Sequence, residues 1–256
     1  MNLKEKKFFL KNGYLIKENI LNFTTCEKIK KILNKAILKE SNFHNKFKKN
    51  KIFKDYGMVM VCPYYNSIFL EILKDEKLIK YINYLLGKES IVYAYTSSSM
   101  APQKKNFSSR IHRDTKKFIK EFITNIGCTI SLDDFIEDNG ATEFLPKSHL
   151  FSKIPKKLEF DKKKKKFICK KGSVLIFHGQ LFHRGGHNKT NKWRHALTIN
   201  FCRSWMKQRF DFKNFLKKKY DLTKLDKKIR QKLGLNSIPP SSLKEYYGYN
   251  FSKSYK

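Results

Sequence analysis

The chain has little arginine, little acid and few histidines. Of the 56 basic residues only seven are arginine, at positions 110, 113, 184, 194, 203, 209 and 230, against 22 acidic residues and seven histidines in 256 positions. No apolar run is long enough to span a bilayer. The start, MNLKEKKFFLKNGYLI, is interrupted throughout by Lys, Asn and Gly, which is not the pattern of a secretory leader. The expectation is a soluble, cytoplasmic protein with no membrane partner. The five cysteines (Cys26, Cys62, Cys128, Cys169 and Cys202) are odd in number and never in CxxC spacing. They read as reduced thiols in or near the core, not as a disulfide frame or a zinc knuckle.

The shortage of arginine bears on the formal net charge of +34. Such a charge would ordinarily suggest a polyanion. Dedicated phosphate readers, however, use arginine for its bidentate fork, and the other 49 basic residues here are lysines. Lys, Asn, Ile, Phe and Tyr are abundant together, as a low-GC genome produces. No basic stripe interleaved with base-stacking aromatics is present, so no specific nucleic-acid partner is expected. The run Lys162 to Lys166 reads as a solvated loop between strands. The sequence carries no signature of oligomeric state.

What is present is material for a core: 22 phenylalanines and 14% aromatic residues. The first ninety residues read as mainly helical. TTCEKIKKILNKAIL places Ile29, Ile32, Leu33, Ala36 and Ile37 at helical period behind a threonine cap. SIFLEILKDEKLIKYINYLLG reads as one helix ending at Gly87. From about 90 to 205 the pattern changes to short β-like runs between turns: IVYAYTSSSM, SRIHRD, FITNIGCTISL, GATEFLP, KFICKKGSVLIF, LFHRGG and RHALTINFC. These predict a sandwich or barrel. From about 206 to 256 helices return, with a Pro-Pro turn at 239 and 240. With no repeat or linker, the chain reads as one domain, a β core wrapped by helices at both ends.

In SSRIHRDTKKF, His112 and Asp114 are two residues apart and would share one face of a strand, with Arg113 on the other. Seven histidines and ten aspartates give roughly 0.3 chance occurrences of such a pair, so it is a weak motif alone. A third ligand is available in FHGQLFHRGGHN. There His183 follows an apolar strand after a turn at Gly172, precedes Gly185 and Gly186, and lies eleven residues before Arg194. Two histidines and a carboxylate on inward strands make a facial triad that leaves open positions on iron(II). Zinc is the rival, but HExxH is absent and the two glycines disfavour a helical 183/187 pair. Arg194 opens the alternating run RHALTINF, and a buried arginine calls for an anionic partner such as a dicarboxylate.

Four segments in order resemble the phytanoyl-CoA dioxygenase-type iron(II)/2-oxoglutarate oxygenases: FFLKNGYLIKENIL with TTCEKIKKIL, then RIHRDT, SLDDFIEDNGATEFLPKSH, and GSVLIFHGQLFHRGGHNKTNKWRHALTINF. The resemblance covers most of the chain. It implies an α+β, mainly β fold, a double-stranded β-helix (jelly-roll, cupin-like) flanked by helices. It also implies Fe(II) on His112, Asp114 and His183, with Arg194 binding the distal carboxylate of 2-oxoglutarate. The implied reaction consumes O2 and 2-oxoglutarate, releases succinate and CO2, and hydroxylates a C–H bond of a small molecule. The carboxylate of Asp114 favours hydroxylation, because related halogenases replace it with a small residue. His178 is expected to be structural. A serine common in the family two positions after the second histidine is Gly185 here, so that contact would be missing or supplied by another hydroxyl such as Thr198. Thr129 stands where relatives carry an inner-strand Trp and would touch the cosubstrate or pack. Asp133, Asp134, Asn139 and Gly140 are expected to shape a turn.

Substrate contacts are expected from DYGMVMVCPYY and SSSMAPQKKNFSSR. Lys104, Lys105, Arg110 and Arg113 would suit an anionic substrate, while Tyr64 and Tyr65 are expected to pack beside Pro63. The competing readings are an oxygenase acting on nucleic acid and a non-catalytic metal-binding jelly-roll protein.

Overall fold

The computed structural model describes residues 1–46, 57–236 and 240–248, without the side chains of 43–46. Pro239 of the expected Pro-Pro turn, and Asp55 and Tyr56 of the expected substrate segment, lie outside them. Helix α1 (Leu3–Asn12) opens on a capping box, in which Asn2 and Glu5 each accept from the other's backbone N–H at 2.9 Å. It ends at Gly13, whose φ of 82° is the left-handed conformation glycine adopts without strain. The chain turns there into β1 (Tyr14–Lys17), which gives the mainly helical first third one strand of the principal sheet.

Helix α2 (Phe23–Lys46) buries Ile29, Leu33, Ala36 and Ile37, the expected apolar face. Its cap is Asn22, whose Oδ1 accepts from Thr25 N–H at 2.8 Å, rather than a threonine. The next stretch departs from the single helix expected. It divides into α3 (Ile68–Glu71), a 3₁₀ turn over Ile72–Lys74, and α4 (Glu76–Leu86). Asp75 breaks it: its backbone is extended and its carboxylate accepts from Lys77 N–H at 2.8 Å, capping a new helix. The apolar period does not reveal this, because both pieces bury their apolar residues in the same core. Gly87 ends α4 as expected.

The remaining strands are β2 (Ile91–Ser97), β3 (Asn125–Ser131), β4 (Thr142–Phe144), β5 (Lys165–Lys166), β6 (Val174–His178), β7 (His183–Gly185) and β8 (Ala196–Cys202). They form two antiparallel sheets, one of order β1-β6-β3-β8-β2 and one of order β5-β4-β7. Strand alternation assigns the faces of the larger sheet. Ile126, Cys128, Ile130, Val174, Ile176, Leu197, Ile199 and Phe201 pack with α2 and α4 in the main core. Leu175, Phe177 and Ala196 point the other way, into a second cluster with Phe135, Phe144 and Phe167 that joins the two sheets. Gly127, Thr129, Thr198 and Asn200 share that second face by the same alternation.

Helices α5 (Lys157–Lys163), α6 (Phe212–Leu216), α7 (Lys227–Lys232) and α8 (Leu243–Tyr247) complete the chain. The expected lysine loop at 162–166 is instead the end of α5 and the edge strand β5. Lys164 pairs there with Glu143 at 2.9 Å and Asp161 at 3.0 Å, so local ion pairing organises the run. The fold is mixed α and β, with antiparallel sheets and flanking helices, and not mainly β. Among the described residues no helix is long and apolar enough to cross a membrane. All five cysteines are free thiols and four are buried.

Candidate metal centre

The stretch around His112 is not a strand. A 3₁₀ turn (Phe107–Ser109) precedes it, a bend follows, and His112 alone makes a β-bridge, to His183. The same-face argument for residues 112 and 114 therefore does not apply, and Asp114 reaches the site from a bend. What aligns the histidines is the bridge. His112 N–H donates to His183 O at 3.0 Å and His183 N–H to His112 O at 2.9 Å. In such an antiparallel pair the side chains stand together, and the imidazole centroids are 4.3 Å apart. On its other side His183 pairs with Phe144 of β4.

Each ring is anchored through Nδ1. That of His112 lies 2.7 Å from Arg110 O and that of His183 lies 3.0 Å from Leu181 O. A carbonyl only accepts, so Nδ1 carries the proton and Nε2 offers its lone pair, the tautomer of a metal-ligating histidine. Both Nε2 atoms stand 3.8 Å from Asp114 Oδ1, beyond hydrogen-bonding distance, and the three donors lie within 4.8 Å of one another. Donors about 2.1 Å from an ion and at right angles would be roughly 3 Å apart, so the group is close to chelating separation. Burial, and His112 beside it, push the His183 imidazole down to about 4, with Asp114 pulling the other way; at neutral pH it is an uncharged acceptor. Three converging lone pairs fit a cation. His112, Asp114 and His183 form a group able to hold a metal ion.

The surroundings are polar at named points. Asp114 Oδ2 accepts from Asn200 Nδ2 at 2.8 Å. Phe177 packs on His183 with centroids 4.6 Å apart, and its ring covers Gly127, where a Cβ would meet Cζ at 2.2 Å. Thr129 and Thr198 are cross-strand partners on the face that carries Asn200.

Arg194 lies before β8 rather than in it, paired through its backbone with Met100. It is 1% exposed. Its guanidinium donates to Ser98 O and Gly140 O at 2.8 Å each and stands 4.6 Å from the centre of the Phe135 ring. Among the described residues its Nε–H has no hydrogen-bond partner. Burial lowers its pKa to about 10, with Asp133 opposing, so it stays cationic at neutral pH. The turn at 133–140 delivers the Gly140 carbonyl: Asn139 donates to Asp134 O at 2.8 Å and accepts from Ile136 N–H at 3.0 Å.

At Gly185 a Cβ would stand 2.6 Å from Ser108 Oγ, so a side chain there would have to displace that hydroxyl. A serine hydroxyl therefore does occupy that space, but it comes from residue 108. His178 is buried beside His149, outside the three-residue group, and His187 is exposed. Tyr65 donates to Glu40 at 2.8 Å and Tyr64 packs on Phe215, so both serve packing. Arg110 and Arg113 lie over aromatic rings, of Phe107 at 4.4 Å and Phe182 at 5.5 Å. Asn200 escaped the sequence reading, and Ser108 entered it only within the segment SSSMAPQKKNFSSR. The one available signal was for Asn200, an amide at an inward position of the alternating run ALTINFC.

The chain is similar to known proteins over much of its length. The family model for phytanoyl-CoA dioxygenase (PhyH) matches residues 9–196. Uncharacterized protein Rv1501 of Mycobacterium tuberculosis is 26% identical over 200 residues, covering 75% of this chain and 72% of its own length. Dioxygenase trt7 of Aspergillus terreus is 31% identical over 100 residues, 36% of this chain and 35% of its own. Dioxygenase cdmD of Talaromyces verruculosus is 31% identical over 81 residues, 31% of this chain and 26% of its own.

Proposed function

This chain belongs to the phytanoyl-CoA dioxygenase family, and from that premise we propose that it is an Fe(II)- and 2-oxoglutarate-dependent dioxygenase that hydroxylates a C–H bond of a small molecule. The observation that carries the reading is the convergence of two Nε2 lone pairs and one carboxylate oxygen, each histidine fixed in its tautomer by a backbone carbonyl. Two histidines and one carboxylate are a donor set that suits iron(II) and leaves other positions open. The two packed antiparallel sheets are read as the jelly-roll of this family, and residues 1–256 as one oxygenase domain. Cytoplasmic residence belongs to the same proposal and is supported by five unpaired thiols.

In this reading His112, Asp114 and His183 hold the metal. Arg194 offers a buried positive charge, with one N–H still unpaired, to the far carboxylate of 2-oxoglutarate. Thr129 and Thr198 place hydroxyls on the same inner face, available to the cosubstrate. Phe135 and Phe177 keep that side of the site apolar, which strengthens the Arg194–carboxylate attraction. When bound, the iron and its cosubstrate supply dioxygen activation, coupling release of succinate and CO2 to hydroxylation.

The test is anaerobic addition of Fe(II) and then 2-oxoglutarate to the metal-free protein, followed by visible spectroscopy. A charge-transfer band is expected in the wild type. It should be absent in Asp114→Ala and require at least tenfold more cosubstrate in Arg194→Met. No band in the wild type, with Zn(II) held tightly instead, would refute the reading.

A further inference from the structure

Asn200 and Asn125 form a directed chain that ends on Asp114. Both amides are buried, and they sit on the neighbouring strands β8 and β3. The carboxylate dictates the direction. An ionised aspartate only accepts, so Asn200 must turn Nδ2 toward Asp114 Oδ2, at 2.8 Å. Its Oδ1 then faces Asn125 and takes a hydrogen bond from Asn125 Nδ2 at 3.1 Å. That in turn leaves Asn125 Oδ1 buried with no partner. An orphaned buried acceptor is destabilising, a strain that apolar residues at both positions would avoid.

What this arrangement secures is a choice between two oxygens. With Oδ2 held by Asn200, Oδ1 faces the two imidazoles, at 3.8 Å from each Nε2. A carboxylate free to rotate can present both oxygens to one ion and take a second coordination position. On a six-position ion with two histidines, one carboxylate oxygen leaves three positions open and two oxygens leave only two. A chelating cosubstrate and dioxygen together need three. We propose that Asn200, oriented by Asn125, is a positioning residue that confines Asp114 to one oxygen at the metal. This rests on the metal-centre reading above.

The experiment measures Mn(II) affinity of the metal-free full-length protein, from the electron paramagnetic resonance signal of free Mn(II), beside thermal unfolding of the same samples. Asn200→Leu is expected to weaken Mn(II) binding 10–100-fold, the usual effect of losing a partner of a metal ligand. Asn125→Leu, which frees the Asn200 amide to turn and exchanges the orphaned Asn125 oxygen for an unpaired Asn200 Oδ1, should weaken binding less and leave the melting temperature about equal. A merely structural role predicts the reverse: lower melting temperatures in both variants and unchanged Mn(II) affinity. Wild-type binding that Asp114→Ala abolishes, with Asn200→Leu within twofold of wild type, overturns the positioning role and leaves the metal centre standing. No Mn(II) binding by the wild type overturns both. If Asn200→Leu does not fold, Asn200→Ser, too short to reach Asp114, is judged by the same tenfold and twofold limits.

Discussion

Acid should destabilise this protein through His178, by an amount the structure allows to be worked out. His178 Nδ1 accepts from the Gln180 N–H at 3.1 Å, so the ring must be neutral with its proton on Nε2. Protonating Nδ1 would oppose two donors, and burial already pushes the imidazole down to about 3, with nearby His149 adding to the effect. An unfolded histidine takes up its proton near pH 6.5. Between about pH 6.5 and 3 the unfolded chain therefore binds a proton that the folded chain refuses, and stability falls as pH falls. From pH 7 to 5 the loss from this one ring is about 2 kcal/mol. For a chain of this size that corresponds to about 4–8 °C in melting temperature. The assay is thermal unfolding at pH 7 and pH 5, with a chelator present, for the wild type and His178→Asn. Asparagine keeps an acceptor for Gln180 N–H but does not titrate. The variant should lose about 2 kcal/mol less than the wild type over that interval. Equal losses in the two proteins would refute the argument.

Two further substitutions probe the packing behind the candidate metal ligands. Gly127→Ala puts a methyl 2.2 Å from Phe177 Cζ; since Phe177 backs His183, both stability, by about 1–3 kcal/mol, and Mn(II) affinity should fall. An unchanged melting temperature would show that the ring moves freely. Gly185→Ser should destabilise by about 1–2 kcal/mol, because its Cβ meets Ser108 Oγ at 2.6 Å, and Ser108→Gly in the same chain should restore most of the loss. Additive effects in that double-mutant cycle would mean that the two residues do not share one space.

The three side chains that converge could be picked out of the sequence, although strand pairing, the reason given for two of them, does not hold in the structure. His112 and Asp114 were paired by strand periodicity, yet only His112 makes a β-bridge and Asp114 sits in a bend. Their convergence depends on a backbone pairing with His183, a non-local fact that no local pattern encodes. The apolar faces of α2 and α4 were readable because burial has a period. The break at Asp75 and the Asn22 cap were not, because a single side-chain hydrogen bond decides each. Lys162 to Lys166 looked like a solvated loop because sequence hides Glu143 and Asp161, which neutralise part of it. Asn200 escaped notice in its strand, since its meaning depends on Asp114, 86 positions away.

The strand order β1-β6-β3-β8-β2 also has a consequence for synthesis. No two neighbours in that sheet are consecutive along the chain, so it contains no hairpin on which pairing can start. Tyr14 waits for Phe177, and the gap between β3 and β2 stays open until β8 arrives to fill it. A ribosome adding 5–20 residues per second needs roughly 4–14 s to travel from the end of β3 to the end of β8. Through that interval two strand edges lie unpaired on the nascent chain, and Asp114 still lacks the amide that orients it. Slow closure of this kind favours aggregation when translation is heavy. Cool, weakly induced expression should therefore raise the yield of folded, metal-competent protein more than any change of buffer.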